Sequence, residues 1–193
     1  SSEKYAKTFN PILNFKMTDS RWDMTDSSNL SYLNLQNSVI RYSNTMPTDL
    51  IISPTTATAD QGIYTANDNS IFVNRGLIDM QSNNVLGDRL IVEGNYNGGG
   101  AVAMNTAVYD RGSATDFIFI NGDQKGGVTN VYIKDMSAGQ ATNTGVGADA
   151  SGVGYGVLIA QGVGEWDVSQ LKLASGKIIK LGYEYDLYGV EEY

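Results

Sequence analysis

Two groups of carboxylates in the sequence have the spacing that hydrolytic chemistry can use. One group consists of Asp19, Asp23 and Asp26, and the other consists of Glu184 and Asp186, which lie two residues apart and so on one face of a strand. Polysaccharide hydrolases place a pair of carboxyl groups on either side of the bond that they cleave. Aspartate followed by Ser or Asn is, however, typical of turns, where its side chain bonds its own backbone. We therefore favour structural roles and expect no catalytic residue, with a polysaccharide hydrolase or lyase as the least favoured alternative.

Residues 145–150, with the sequence GVGADA, partly match two ligand-binding patterns. A calcium β-roll turn needs G-G-x-G-x-D in tandem copies, but Thr144 replaces the first glycine and the pattern occurs once. The same residues fit the dinucleotide pattern G-x-G-x-x-A, but no strand precedes them and no helix follows them. We therefore expect neither a cofactor nor a metal. Residues 137–154 are almost all small or polar, which predicts a loop or a junction between two subregions.

The composition excludes several further kinds of chemistry. The chain of 193 residues contains no His and no Cys, so it has no imidazole or thiolate for a nucleophilic triad, a zinc or haem site, or a disulfide. Its 13 Lys and Arg against 21 Asp and Glu give a formal net charge of −8. Because binding to a phosphate backbone needs clustered Lys and Arg, we expect no nucleic-acid partner.

The elements that carry these residues are predicted to be strands and turns. No stretch of a dozen residues keeps apolar residues at helical spacing, whereas short runs of Val, Ile, Tyr and Phe bounded by Asn, Asp and Gly recur throughout. The sequence therefore predicts an all-β protein. The clearest alternation lies near the C-terminus and predicts one strand whose apolar face carries Ile179, Leu181, Tyr183, Tyr185 and Leu187.

An internal repeat predicts how the strands are arranged. Residues 88–99 align without gaps on residues 116–127, and each copy opens with Asp and has Gly at two turns; these repeat positions are Asp88, Gly94, Gly98, Asp116, Gly122 and Gly126. Residues 155–162 are a third, degenerate copy that ends at Gly162. Units of this kind cannot bury their apolar side alone, so they must stack on one another. Together with the short predicted strands near residues 21–24, 33–35 and 39–42, the repeat favours a parallel β-helix over a sandwich.

The order of these motifs resembles the passenger domains of pertactin-like autotransporters of Gram-negative bacteria. The resemblance covers residues 22–188 and rests on the segments at 22–24, 30–35, 39–40, 90–100, 115–122 and 182–188. It implies the C-terminal end of a passenger. Residues 1–87 would be the last rungs of a right-handed parallel β-helix, with residues 1–20 unplaced. Residues 88–193 would be the autochaperone region that caps these rungs, ending just before the linker to a membrane barrel.

The resemblance also implies a function without catalysis. The chain would be a folding and secretion module of type V secretion, which templates β-helix folding at the cell surface during outer-membrane translocation, as part of a virulence factor or adhesin. Its partners would be its own upstream passenger and a downstream outer-membrane β-barrel. The absence of an initiator Met and of a signal peptide in the sequence agrees with a fragment of a precursor that is exported through the periplasm to the cell surface or beyond.

The C-terminal residues are expected to carry this function. An open β-helix end exposes unpaired backbone groups, so it must be covered. We expect the cap to be a folding core formed by Trp166, Ile179, Leu181, Tyr183, Tyr185 and Leu187. The alternative is a binding module whose exposed edge or loops contact a host protein or a glycan.

Overall fold

The structure, a computed structural model, describes residues 13–54, 70–109, 112–139 and 156–189. Within them no α-helix occurs, and a short 3-10 helix, Val168–Gln170, precedes the fourteenth of sixteen strands. The strands are β1 (Asn14–Thr18), β2 (Arg21–Met24), β3 (Ser28–Leu30), β4 (Tyr32–Tyr42), β5 (Asp49–Ile52), β6 (Phe72–Asp79), β7 (Arg89–Val92), β8 (Tyr96–Gly98), β9 (Ala101–Thr106), β10 (Phe117–Asn121), β11 (Gln124–Gly126), β12 (Thr129–Asp135), β13 (Ala160–Val163), β14 (Leu171–Leu173), β15 (Ile178–Lys180) and β16 (Tyr183–Tyr185). None of the described segments is a helix that could cross a bilayer.

Fourteen of these strands form two parallel sheets between which the chain alternates. The first sheet runs β1-β4-β6-β9-β12-β14, with β2 beside β4 and with β8 between β6 and β11. The second sheet runs β3-β5-β7-β10-β13. Because each turn of the chain adds a strand to each sheet, the strands stack as rungs of a solenoid. The predicted all-β class with stacked parallel strands is confirmed.

The 28-residue repeat is the register between two neighbouring rungs. Arg89 pairs with Phe117 in the second sheet, and Tyr96 pairs with Gln124 in the first. The third copy is displaced from its predicted position, because Gly162 pairs with Ile120 and it is Gly164 that packs on Gly122. The predicted closing glycine, Gly162, lies instead beneath the indole of Trp166, where a Cβ would come within 2.3 Å of the ring.

The core consists of side chains of the same kind stacked from rung to rung. One column of the second sheet contains Leu30, Ile52, Val92 and Ile120, each no more than 2% exposed. At about 25 cal/mol per Å² of buried apolar area, such columns supply most of the free energy that holds the rungs together. The proposed division at residue 88 stays a prediction, and β5 and β7 pair across it as neighbouring rungs do elsewhere.

The prediction of a single strand over residues 179–187 is wrong. This segment folds into an antiparallel hairpin of β15 and β16, which turns at Leu181 and Gly182, with φ angles of +47° and +85°. Ile179 and Leu181 are 71% and 72% exposed, so neither belongs to a buried core. Leu187 is partly buried and packs against the core. The alternating pattern did not reveal the turn, because side chains alternate with a period of two in both strands of a hairpin as they do in one long strand.

Candidate functional site

Two buried aspartates, Asp88 and Asp116, join three successive rungs of the second sheet. They are the first residues of the two repeat copies, and both are fully buried. One carboxylate oxygen of Asp116 accepts hydrogen bonds from the backbone N–H groups of Asp88 and Gly87, at 3.0 Å each. The other oxygen accepts from the N–H of Asn105 at 2.6 Å. Asp116 thus holds the start of the preceding rung.

Asp88 repeats this arrangement one rung earlier. Its Oδ1 accepts a hydrogen bond of 2.8 Å from the N–H of Thr48, and its Oδ2 accepts one of 2.7 Å from the side-chain amide of Asn83. We call Thr48, Asp88 and Asp116 the acid column. In this column each carboxylate receives an N–H group from the rung on its N-terminal side, so the contacts have a direction along the chain.

Burying the two carboxyl groups of the acid column disfavours their charged forms. Burial, together with the nearby Asp88 carboxylate, raises the pKa of Asp116 to about 7, although three backbone N–H groups favour its charged form. Burial also raises the pKa of Asp88 above its ordinary value. Both carboxyls therefore serve as acceptors in a place where ionisation opposes folding.

A second column, at an outer turn, has the opposite direction. The Oδ1 of Asn95 accepts from the N–H of Asp123 at 2.9 Å, and the Oδ1 of Asp123 accepts from the N–H of Glu165 at 3.1 Å. Here each side chain receives an N–H from the rung on its C-terminal side. Sequence reasoning missed this column, although Asn95 and Asp123 each follow a repeat glycine and are one repeat apart.

The glycines of the repeat lie where rungs come closest. A Cβ on Gly122 would lie 2.4 Å from the carbonyl carbon of Gly94, and a Cβ on Gly126 would lie 2.7 Å from the carbonyl oxygen of Gly98. Gly126 also has a φ of +82°, which disfavours any side chain. The six repeat positions therefore stack in pairs: Asp116 on Asp88, Gly122 on Gly94 and Gly126 on Gly98.

A buried polar network crosses the first sheet. The hydroxyl of Tyr96 lies 2.8 Å from the Oγ1 of Thr129 and accepts a hydrogen bond of 3.3 Å from the side-chain amide of Asn74. The Tyr96 ring packs on Phe72 with its centroid 5.2 Å away. This network fixes the register of the central rungs, since each group is buried and a shift would leave it without a partner.

At the C-terminal end of the stack an open groove of about 500 Å³ is lined by Gln124, Gly164, Glu165, Trp166 and Asp167. Trp166 is partly buried and packs against the core, and its capping role stays a prediction. Its indole N–H and both amide atoms of Gln124 are buried without a hydrogen-bond partner in the described part of the chain. These three atoms lie where the last two described rungs meet, on β11 and in the segment after β13.

The candidate catalytic carboxylates each have a local partner. Asp23 pairs with Arg21 at 2.8 Å, Asp19 accepts from the side-chain amide of Asn37, and Glu184 pairs with Lys177 at 2.8 Å. Asp26 and Asp186 each accept from the N–H of the next residue, as turn aspartates do. Among the described residues no three carboxylates come together as metal ligands. Residues 145–150 lie outside the described residues.

Comparison with known proteins gives two matches. The model of a family described as Autochaperone Domain Type 1 matches residues 69–187, which is more than half of the chain. The chain is also 34% identical over 71 residues to a protein of Escherichia coli K12 described as the probable autotransporter YfaL. That alignment covers 37% of this chain and 6% of the relative's length. No solved structure matches the chain.

Proposed function

Because the chain belongs to the Autochaperone Domain Type 1 family, we propose that it templates the folding of the β-helical passenger of an autotransporter, from its C-terminal rungs towards its N-terminus. The family and the relative both associate it with an autotransporter. The finer role is our proposal: a non-enzymatic module that acts at the surface of a Gram-negative cell during type V secretion, as part of a virulence factor or adhesin.

The acid column is the observation that supports this direction most strongly. A folded rung that contains Asp116 offers buried acceptors to the N–H groups of Gly87 and Asp88, which start the rung before it. Asp88 does the same for Thr48. The outer-turn column runs the other way, but its residues are partly exposed, and a backbone N–H group left without a partner costs most where water is excluded. The net preference therefore favours growth towards the N-terminus.

The N-terminal edge of the stack fits the proposed partner. In the described residues β1 and β2 pair with β4, and β3 pairs with β5, so each has one paired edge. An edge of this kind invites a further parallel strand. We propose that the upstream passenger supplies it, and that an outer-membrane barrel follows the chain in the precursor.

The test uses the exported precursor that contains this chain, with Asp116→Ala compared with Asp123→Ala as the matched control. Limited proteolysis mapped by mass spectrometry would follow residues 70–109, which contain the N–H groups that Asp116 binds, and residues 112–139 separately. We expect Asp116→Ala to make the upstream region protease-sensitive while the downstream region stays resistant, because only the preceding rung loses its template. Upstream resistance equal to that of the wild type, or loss of resistance in the downstream region first, would refute templating in this direction.

A second candidate is binding of a host glycan in the groove beside Trp166. Glu165 and Asp167 add carboxylate acceptors to this aromatic side chain, and the described residues that line the groove include no Lys or Arg, so it would favour neutral sugars over acidic ones. Titration with neutral and sialylated oligosaccharides, followed by Trp fluorescence of the wild type and of Asp167→Asn, tests this. Absence of any saturable change would leave folding as the function of this end.

A further inference from the structure

The C-terminal hairpin is nearly independent of the two main sheets. Its strands β15 and β16 pair with each other, and in the described residues neither pairs with another strand. Two of its apolar residues, Ile179 and Leu181, contribute little attachment because they are more than two-thirds exposed, and Ile178 and Tyr185 are only partly buried. A hairpin of two strands is at best marginally stable alone. Something other than backbone pairing must therefore hold it against the stack.

Lys180 is the residue that makes this attachment. Its side chain is 11% exposed, although it carries a charge, and its Nζ lies 2.8 Å from the Oδ2 of Asp135. The same ammonium donates hydrogen bonds to the hydroxyl of Ser137 and, at 3.4 Å, to the carbonyl oxygen of Val108. Ser137 and Val108 lie 43 and 72 residues earlier in the chain. A buried lysine is tolerated where it is paired in this way.

Asp135, Ser137 and Val108 form a socket for the ammonium group of Lys180, and none of them belongs to the hairpin. The Oδ1 of Asp135 accepts from the N–H of Val108 at 3.2 Å, from the N–H of Ser137 at 3.0 Å and from the hydroxyl of Ser137 at 2.5 Å. Asp135 itself ends β12 and pairs with Thr106 of β9. Burial raises the pKa of Asp135, but the bonds from Lys180, Ser137 and Val108 outweigh it and hold that pKa below its ordinary value. The socket is therefore complete once β9 and β12 have folded.

We propose that the hairpin is a strap, which Lys180 latches onto the end of β12 and which opens as a unit while the rungs stay folded. The closed strap brings Leu187 against the core. Because the socket forms only from finished rungs, closure of the strap follows completion of the stack at this end. This inference stands on the contacts of Lys180 and goes beyond the templating role.

Hydrogen exchange on the full chain tests the latch, with Lys180→Met compared with Lys177→Met. Lys177 is the matched control, since it lies beside the same hairpin but makes a pair with Glu184 that is about half exposed on both sides. Exposed pairs contribute little, so Lys177→Met should change exchange in the hairpin by less than about threefold. Lys180→Met should speed exchange of residues 178–185 by at least about tenfold and leave β10 and β12 unchanged, because opening is local.

A second variant separates release of the strap from general unfolding. Asp135→Asn keeps the size of the socket but removes its charge, and it should release the hairpin as Lys180→Met does. In the double variant the two effects should not add, because either change already breaks the same contact. Hairpin exchange that stays within about threefold of the wild type in Lys180→Met, or equal acceleration in β10 and β12, would overturn the proposal. Neither result depends on the direction in which the passenger folds.

Discussion

Replacing Asp116 by Asn should remove the pH dependence that this residue gives to stability. Asn has nearly the size of Asp but does not titrate, so the variant differs from the wild type in lacking any pH dependence at this position; its amide nitrogen also cannot accept a hydrogen bond as a carboxyl oxygen does. The pKa of Asp116 is raised in the folded protein to about 7 from an ordinary value of 3.8. A raised pKa means that the contribution to stability is fully present below 3.8 and is lost as the pH rises through about 7.

These two pKa values fix the size of the effect. Linkage gives a loss of about 3 kcal/mol from the wild type between about pH 5 and about pH 8, and none from the variant at this position. Asp88 is present in both proteins, and its repulsion with an ionised Asp116 is part of the difference that the comparison measures. The wild type should therefore lose about 2–3 kcal/mol relative to Asp116→Asn over this interval, a large share of a typical unfolding free energy.

Urea unfolding of both chains at the two pH values, followed by circular dichroism, measures this difference. Asp123→Asn, at the half-buried outer turn, controls for replacing an aspartate as such. Three backbone N–H groups bind the Asp116 carboxylate, and these bonds favour its charged form. If they outweighed burial, the wild type would instead gain stability relative to the variant as the pH rises. That sign would refute the conclusion that ionisation of the acid column opposes folding.

Two further pairs of substitutions test the stack itself by thermal or urea unfolding. Gly122→Ala should lower the free energy of unfolding by about 1–3 kcal/mol, because its Cβ would overlap the backbone of Gly94. The control Gly156→Ala, whose Cβ would have nothing within 4 Å, should have little effect, and equal effects would contradict the close packing of the rungs. Ile120 is 1% exposed, so Ile120→Ala should lower the free energy of unfolding by about 2–5 kcal/mol. Ile179 is 71% exposed, so Ile179→Ala should change it by no more than about 0.5 kcal/mol. A large loss of stability in Ile179→Ala would mean that Ile179 does belong to the capping core.

The repeat was predictable from sequence because, in a solenoid, equivalent positions of successive rungs need similar residues. Each column takes one residue from every rung, so residues one repeat apart meet, as Arg89 and Phe117 do. Asp88 and Asp116 could be picked out as equivalent for the same reason. Their burial could not, since the partner of Asp88 is Thr48, which lies 40 residues away at a spacing that the repeat does not contain.

The C-terminal end was the least predictable part. Period-two alternation continues through the turn at Leu181 and Gly182, so the pattern does not distinguish a hairpin from one long strand. Lys180 gave no signal at all, because its partners come from distant segments and a lone lysine beside apolar residues is usually solvated. Contacts made by the tertiary fold, rather than by local pattern, decide what this end does.

The unequal spacing of the rungs bears on how such a protein can diversify. Cross-rung hydrogen bonds at the second sheet and the adjoining turns join residues 22, 40, 28 and 42 positions apart, yet the neighbouring strands stay in register. Lengthening a connection costs little free energy, at about 0.6 kcal/mol for each doubling of a flexible loop. Insertions between rungs can therefore accumulate while the stacked residues stay constant. The architecture separates the connections, which can change in length, from the stacked residues, which folding requires.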